Sequence, residues 1–119
     1  VIHANHASEI DASVIAALER LSTVTGTVLN QSVLLRGIND SPEALVALSH
    51  ALFAGGVLPY YLHQLDPVSG TQHFAVSDAQ ALALITEMMR RLPGYLVPRL
   101  VRETAGTASK TLLGPFGVT

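Results

Sequence analysis

The sequence predicts an α/β fold built on a parallel sheet, and three observations carry that prediction. Runs of β-branched and aliphatic residues alternate with helical stretches, at a spacing of roughly 30 residues that suits a strand–helix–strand unit. The helical stretches open on capping residues and close on glycine or proline. The resulting order, β-α-β-α-β-α-β, implies right-handed crossovers within one sheet. Four such strands make either a small open α/β sheet or the last part of a barrel.

Each element has a local reason. Val1 to His6 reads as a short strand entering a loop, and Ser8 then reads as a helix N-cap with Asp11 favouring the free amides of the first turn. Ile10, Val14, Ala17, Leu18 and Leu21 recur at helical spacing until Gly26. Thr27 to Leu35 is the second strand. Ser41-Pro42-Glu43 starts the second helix with a cap, a first-turn proline and an acid at the positive dipole end. Leu45, Leu48 and Leu52 form its core face, and Gly55-Gly56 stop it.

Val57 to Leu65 is the third strand, and a polar loop follows from Asp66 to Phe74. Ser77 with Gln80 forms a capping box for the third helix, whose buried side is Leu84, Ile85, Met88, Met89 and Leu92. Pro93-Gly94 ends it. Tyr95 to Arg102 is the fourth strand, and Pro98 within it cannot donate a ladder hydrogen bond, which predicts a sheet edge. Tyr60 and Tyr61 are expected on opposite faces of their strand, because side chains alternate.

Composition narrows the function classes. A net charge of −2 with no basic cluster argues against nucleic acid as a partner. No apolar run approaches the ~20 residues of a membrane span, and no signal-peptide pattern opens the chain. With 49% hydrophobic and 13% charged residues, and a start at Val1 inside a strand-like run, the chain reads as a fragment whose apolar faces belong against something else. There is no cysteine, so these residues supply neither a disulfide nor a thiolate ligand.

The polar residues gather at the C-terminal ends of the expected strands, where parallel α/β folds carry their sites. They are His3, Asn5 and His6; then Asn30, Gln31 and Arg36; then Tyr60, Tyr61, His63, Gln64 and Asp66; then Arg102 and Glu103, with Lys110 beyond. Lys110 is the only lysine in the chain; it comes after the fourth strand and is expected to sit in a loop of small residues that leaves its amine accessible. A lysine so placed suits a Schiff base, since an amine kept from water is partly neutral and nucleophilic. An ordinary surface lysine fits the same stretch. His3 and His6 suggest a metal pair, but with no third ligand in view they fit loop histidines better. Gln31, an amide among aliphatic neighbours, is either a structural hydrogen-bonder or a ligand contact.

Several stretches together resemble one family over nearly the whole chain. They are His3-Ala4-Asn5-His6 with Glu9-Ile10, Asn30 to Asp40 (Asn-Gln-Ser-Val-Leu-Leu-Arg-Gly-Ile-Asn-Asp), Pro59-Tyr60-Tyr61, Asp66 with Gly70 and His73-Phe74, Val97-Pro98, and the Lys110 loop. They are similar to the lysine 2,3-aminomutase family of radical S-adenosylmethionine enzymes, and the Asn-Gln-Ser-Val-Leu-Leu-Arg-Gly run is the most specific of them. The resemblance implies the C-terminal part of a partial, TIM-like (β/α) barrel holding a [4Fe–4S] cluster, S-adenosylmethionine and pyridoxal phosphate. Residues 1–119 would be one piece of that domain, with 103–119 a cofactor-lysine loop and tail.

By the same resemblance, Lys110 matches the lysine that forms the internal aldimine with pyridoxal phosphate. Asp66 and Glu103 match the acids that grip the distal amine of the substrate L-lysine, and His3 and Gln31 match positions on the S-adenosylmethionine side. The implied reaction moves the amino group of L-lysine from C2 to C3. The implied partners are the remainder of the same barrel and further copies in a homo-oligomer, and the implied location is cytoplasmic.

Three departures qualify the match. The cluster cysteines and the upstream arginines and tyrosine are absent, Glu103 stands where better-known members carry Asp, and residues 105–109 are less glycine-rich than theirs. The last two features resemble the bacterial branch that makes β-lysine for elongation factor P. The expectation is therefore a fragment inactive by itself. Two other readings of the residues stay open: an aldolase-like Schiff-base barrel using Lys110, and a non-catalytic α/β interaction module.

Overall fold

The computed structural model describes residues 1–65, 72–103 and 110–115. The α/β expectation holds. Three helices, α1 (Ala12–Thr25), α2 (Pro42–Ala54) and α3 (Asp78–Arg91), accompany strands β1 (Val28–Val33), β2 (Val57–His63), β3 (Arg99–Glu103) and β4 (Lys110–Gly114). The sheet order is β1-β2-β3-β4; the first three strands are parallel, and β4 runs antiparallel to β3. A progressive parallel order takes right-handed crossovers as a rule, which puts the helices on one face of the sheet. Among the described residues no helix covers the other, open face, where Gln31, Tyr61 and His63 are half-buried.

Two apolar clusters fill the covered face. Leu18 of α1 and Leu48 and Leu52 of α2 pack with Val28 and Val57. Leu45, Ile85 and Met88 pack with Leu34, Leu62 and Leu100. Burying a side chain of this size contributes about 1.5–3 kcal/mol, so these residues hold the helices to the strands.

The predicted starts of α2 and α3 are found. Ser41 Oγ accepts from the Ala44 amide at 3.1 Å, with Pro42 in the first turn, and Ser77 Oγ accepts from the Gln80 amide at 3.2 Å. The start of α1 is shifted. The Ser8 amide donates to His6 Nδ1 at 3.1 Å and the His6 amide donates to Glu9 Oε2 at 2.8 Å, closing a single 3-10 turn over Ala7–Glu9. That turn uses Ser8, so Asp11 caps α1 instead, accepting from the Val14 amide at 2.9 Å. Gly26, at φ 78°, closes the helix as its sequence suggests.

The segment expected as a first strand pairs through only one residue. Ile2 exchanges backbone bonds with Leu29 and Gln31, both at 2.9 Å. Beyond it, asparagine amides replace the ladder. Asn30 accepts from the Ala4 amide at 2.8 Å and donates to the Ala4 carbonyl at 3.1 Å. Asn5 Oδ1 accepts from the Val33 amide at 2.9 Å. Asn39, fully buried, accepts from the Leu35 amide and donates to the carbonyls of Asn5 and Val33. Replacing Asn39 by Ala removes the shared partner of three backbone groups. At about 1 kcal/mol or more for each, unfolding by urea should report a loss of about 3 kcal/mol.

Two further expectations change. Pro98 precedes β3 instead of interrupting it, because residues 94–96 form a 3-10 turn. The missing N–H therefore lies outside the ladder, and β3 is an interior strand between β2 and β4. Lys110 begins a strand and does not lie in a loop: β4 pairs Lys110 with Glu103, Thr111 with Arg102 and Leu112 with Val101.

Candidate active site

The open face of the sheet gathers the chemistry. Its geometry starts from an irregularity between Asn30 and Gln31, where the register steps from Asn30–Pro59 to Gln31–Tyr61 and leaves Tyr60 unmatched. An unmatched residue breaks strict alternation. Tyr60 and Tyr61 are consecutive half-buried positions, and their rings lie 4.3 Å apart at 46°. The expectation that they face opposite sides of the strand fails for this reason.

From Tyr61 a row of contacts runs in both directions. The Tyr61 ring meets the His63 ring at 5.8 Å and 60°. His63 Nε2 donates to Gln31 Oε1 at 3.1 Å, and since an amide oxygen only accepts, that ring nitrogen carries the proton. On the other side, Lys110 Nζ lies 5.3 Å from the centre of the Tyr61 ring. A cation over an aromatic face is attracted by the ring's quadrupole. Arg99 lies over Tyr60 in the same manner, at 5.7 Å. The adjacent Tyr60 side chain first, and partial desolvation with it, raise the Tyr61 phenol above its ordinary value of 10.0, so it is uncharged at neutral pH.

The remaining expected site residues fall differently. His3 is exposed and lines a groove of about 380 Å³ with Glu9, Ile10, Val14 and Leu18, against α1. His6 spends Nδ1 on its own turn, and among the described residues there is no group of three metal-ligating side chains. Asp66 lies outside the described residues, as does the Glu103 side chain. The Glu103 backbone stands directly opposite Lys110 in the β3–β4 register.

Much of the polar convergence is structural. Asn5 and Asn30 tie the N-terminal segment to β1, and Arg36 donates from Nε and Nη2 to the His73 carbonyl at 3.2 and 3.0 Å. Gln64 donates to the Val76 carbonyl and to Asp78 Oδ1, and Arg102 pairs with the same carboxylate. Sequence reasoning missed Asp78 in that group; its place in the first turn of α3, at the C-terminal end of the sheet, was the available signal. It also gave His63 no role, although two residues from Tyr61 on one strand means a shared face.

Gln64 first, and Arg102 with it, hold the Asp78 carboxyl below its ordinary value of 3.8. A depressed carboxyl contributes stability above 3.8 and loses it as pH falls through the lower folded-state value. Acid titration of stability should therefore show a decline below pH 3.8 that is smaller in Asp78→Asn.

Comparison with known proteins agrees with the sequence resemblance. No family model matches the chain. It is 51% identical over 113 residues to a protein named L-lysine 2,3-aminomutase from Escherichia coli K12, covering 95% of this chain and 33% of that protein. An L-lysine 2,3-aminomutase of Haemophilus influenzae is 49% identical over 112 residues, and one of Clostridium subterminale is 34% identical over 113. These 119 residues are homologous to one part of the L-lysine 2,3-aminomutases. The chain spans about one third of the length of the E. coli and H. influenzae aminomutases.

The cofactors that the aminomutase resemblance implies fit this chain unequally. An amine on the open face of a sheet, beside an aromatic ring, suits pyridoxal phosphate attachment. With no cysteine among the 119 residues, the chain offers no thiolate for an iron–sulfur cluster.

Proposed function

We propose that the protein containing this chain is an L-lysine 2,3-aminomutase, an isomerase that converts L-α-lysine to β-lysine by moving the amino group from C2 to C3. The observation that carries the reading is the position of Lys110. The only lysine of the chain heads β4, faces the Glu103 backbone across the register, and holds its amine over Tyr61 on the open face. The homology to aminomutases over nearly the whole chain supports it.

In this reading the chain is the C-terminal part of a TIM-like radical S-adenosylmethionine barrel, and the rest of the barrel covers the open face. Lys110 holds pyridoxal phosphate, which when bound supplies an electron-delocalising carrier for the migrating nitrogen. Asp66 and Glu103 bind the distal ammonium of L-lysine, and His3 and Gln31 lie on the S-adenosylmethionine side. The [4Fe–4S] cluster takes its thiolates from outside these residues. A barrel interior keeps water from a radical reaction. The 119 residues alone are inactive, and the parent protein is cytoplasmic and homo-oligomeric. Glu103 and the loop before Lys110 favour the branch that supplies β-lysine to elongation factor P.

The test is anaerobic reconstitution of the full-length protein with iron, sulfide, S-adenosylmethionine, pyridoxal phosphate and a one-electron reductant such as dithionite, followed by chromatography of the amino acids. β-Lysine formed from L-lysine is the expected product. Its absence, or an upstream sequence without Cys-x3-Cys-x2-Cys, removes the reading.

A further inference from the structure

We propose that Gln31, His63 and Tyr61 form a positioning row that sets where the Lys110 amine stands. The inference rests on Lys110 being the pyridoxal phosphate lysine, and it adds the side chains that aim it.

Lysine reaches its amine through a long, freely rotating stem, so a backbone position alone does not place the nitrogen. Lys110 begins β4, yet its Nζ is found over a ring of β2, with β3 lying between the two strands. That ring is itself constrained on two sides. The tilted Tyr60 ring packs against it at 4.3 Å, and the His63 ring meets it at 5.8 Å. His63 is oriented in turn by its Nε2 bond to Gln31 on β1.

The register step between Asn30 and Gln31 makes this possible. It brings Gln31 opposite Tyr61 and leaves both tyrosines half-buried together. An amine held in one place reacts with a bound carbonyl far more readily than one that sweeps the face, because orientation has already been fixed. The uncharged Tyr61 ring attracts positive charge at Nζ through its face.

The row can be read without the cofactor. Lysines of the full-length protein are reductively methylated with ¹³C-formaldehyde, and the Lys110 signal is identified by its loss in Lys110→Arg. The ring current of Tyr61 should move that signal upfield of the exposed lysines. Tyr61→Phe should keep the displacement, Tyr61→Leu should abolish it, and His63→Phe and Gln31→Met should reduce it with circular dichroism unchanged.

In the last two variants, affinity for pyridoxal phosphate followed by absorbance should fall about tenfold, the scale of one lost orienting contact. If Tyr61→Leu fails to fold, the near-isosteric Gln31→Met still decides the matter. An undisplaced Lys110 signal in the wild type overturns the row, and so does a signal unmoved in both His63→Phe and Gln31→Met. Borohydride reduction separates the two ideas. Label on another lysine removes the pyridoxal reading of Lys110, while the ring-current shift still reports whether the row positions that amine.

Discussion

Replacing Lys110 by Ala in the full-length protein should lower β-lysine formation by about a thousandfold or more, the scale seen when a covalent catalytic group is deleted. The effect should be chemical and not structural. Lys110 is half-buried at the head of a short edge strand, so little packing is lost with its side chain. Unfolding curves of the variant should match the wild type closely. Lys110→Arg sharpens the test, because it keeps a positive charge over Tyr61 while presenting a guanidinium that stays protonated and non-nucleophilic. If charge at this position were what mattered, Arg would rescue activity. If the amine forms the bond to pyridoxal phosphate, Arg should be as inactive as Ala, and borohydride should fix no label at position 110. Partial recovery of the Ala variant by added ethylamine would locate the deficit in the missing amine.

The sequence revealed the alternation of strands and helices because the signals were local. Ser41 and Ser77 accept from amides within one turn, Gly26 donates its N–H to the Ser22 carbonyl, and each does what its type predicts. Non-local pairing was harder to read. Nothing in Val1–His6 shows that Asn30 and Asn39 will take over its ladder, since those side chains come from 26 and 34 residues away. The β4 strand was hidden for a similar reason: Lys-Thr-Leu-Leu-Gly follows small residues and has no partner until β3 supplies one. At the site, residue types were legible and their arrangement was not. The polar list contained Gln31, Tyr61 and His63, but also Asn5, Asn30, Arg36 and Gln64, which serve the backbone. Separating the two sets required the register step after Asn30, which composition and periodicity do not announce.

The second large effect concerns the distal end of the substrate. Asp66→Ala and Glu103→Ala should each reduce lysine turnover by about a hundredfold or more, because removing one partner of a desolvated ion pair costs roughly 3–5 kcal/mol and each 1.36 kcal/mol is tenfold in rate. Attachment of pyridoxal phosphate at Lys110 should change little, since the carboxylates are assigned to the substrate's ammonium. Glu103 makes the sharper case. Its backbone stands opposite Lys110, so its removal could disturb the cofactor lysine if its role were structural. Equal loss of turnover and of borohydride label in Glu103→Ala would establish that structural role. A substrate without the distal amine, L-2-aminohexanoate, separates the possibilities further. The wild type should turn it over poorly, and neither Ala substitution should worsen it much, because the interaction being removed is already absent. In a double-mutant cycle this appears as strong coupling between carboxylate and amine. Additive losses would mean that the two acids shape the site without touching the substrate.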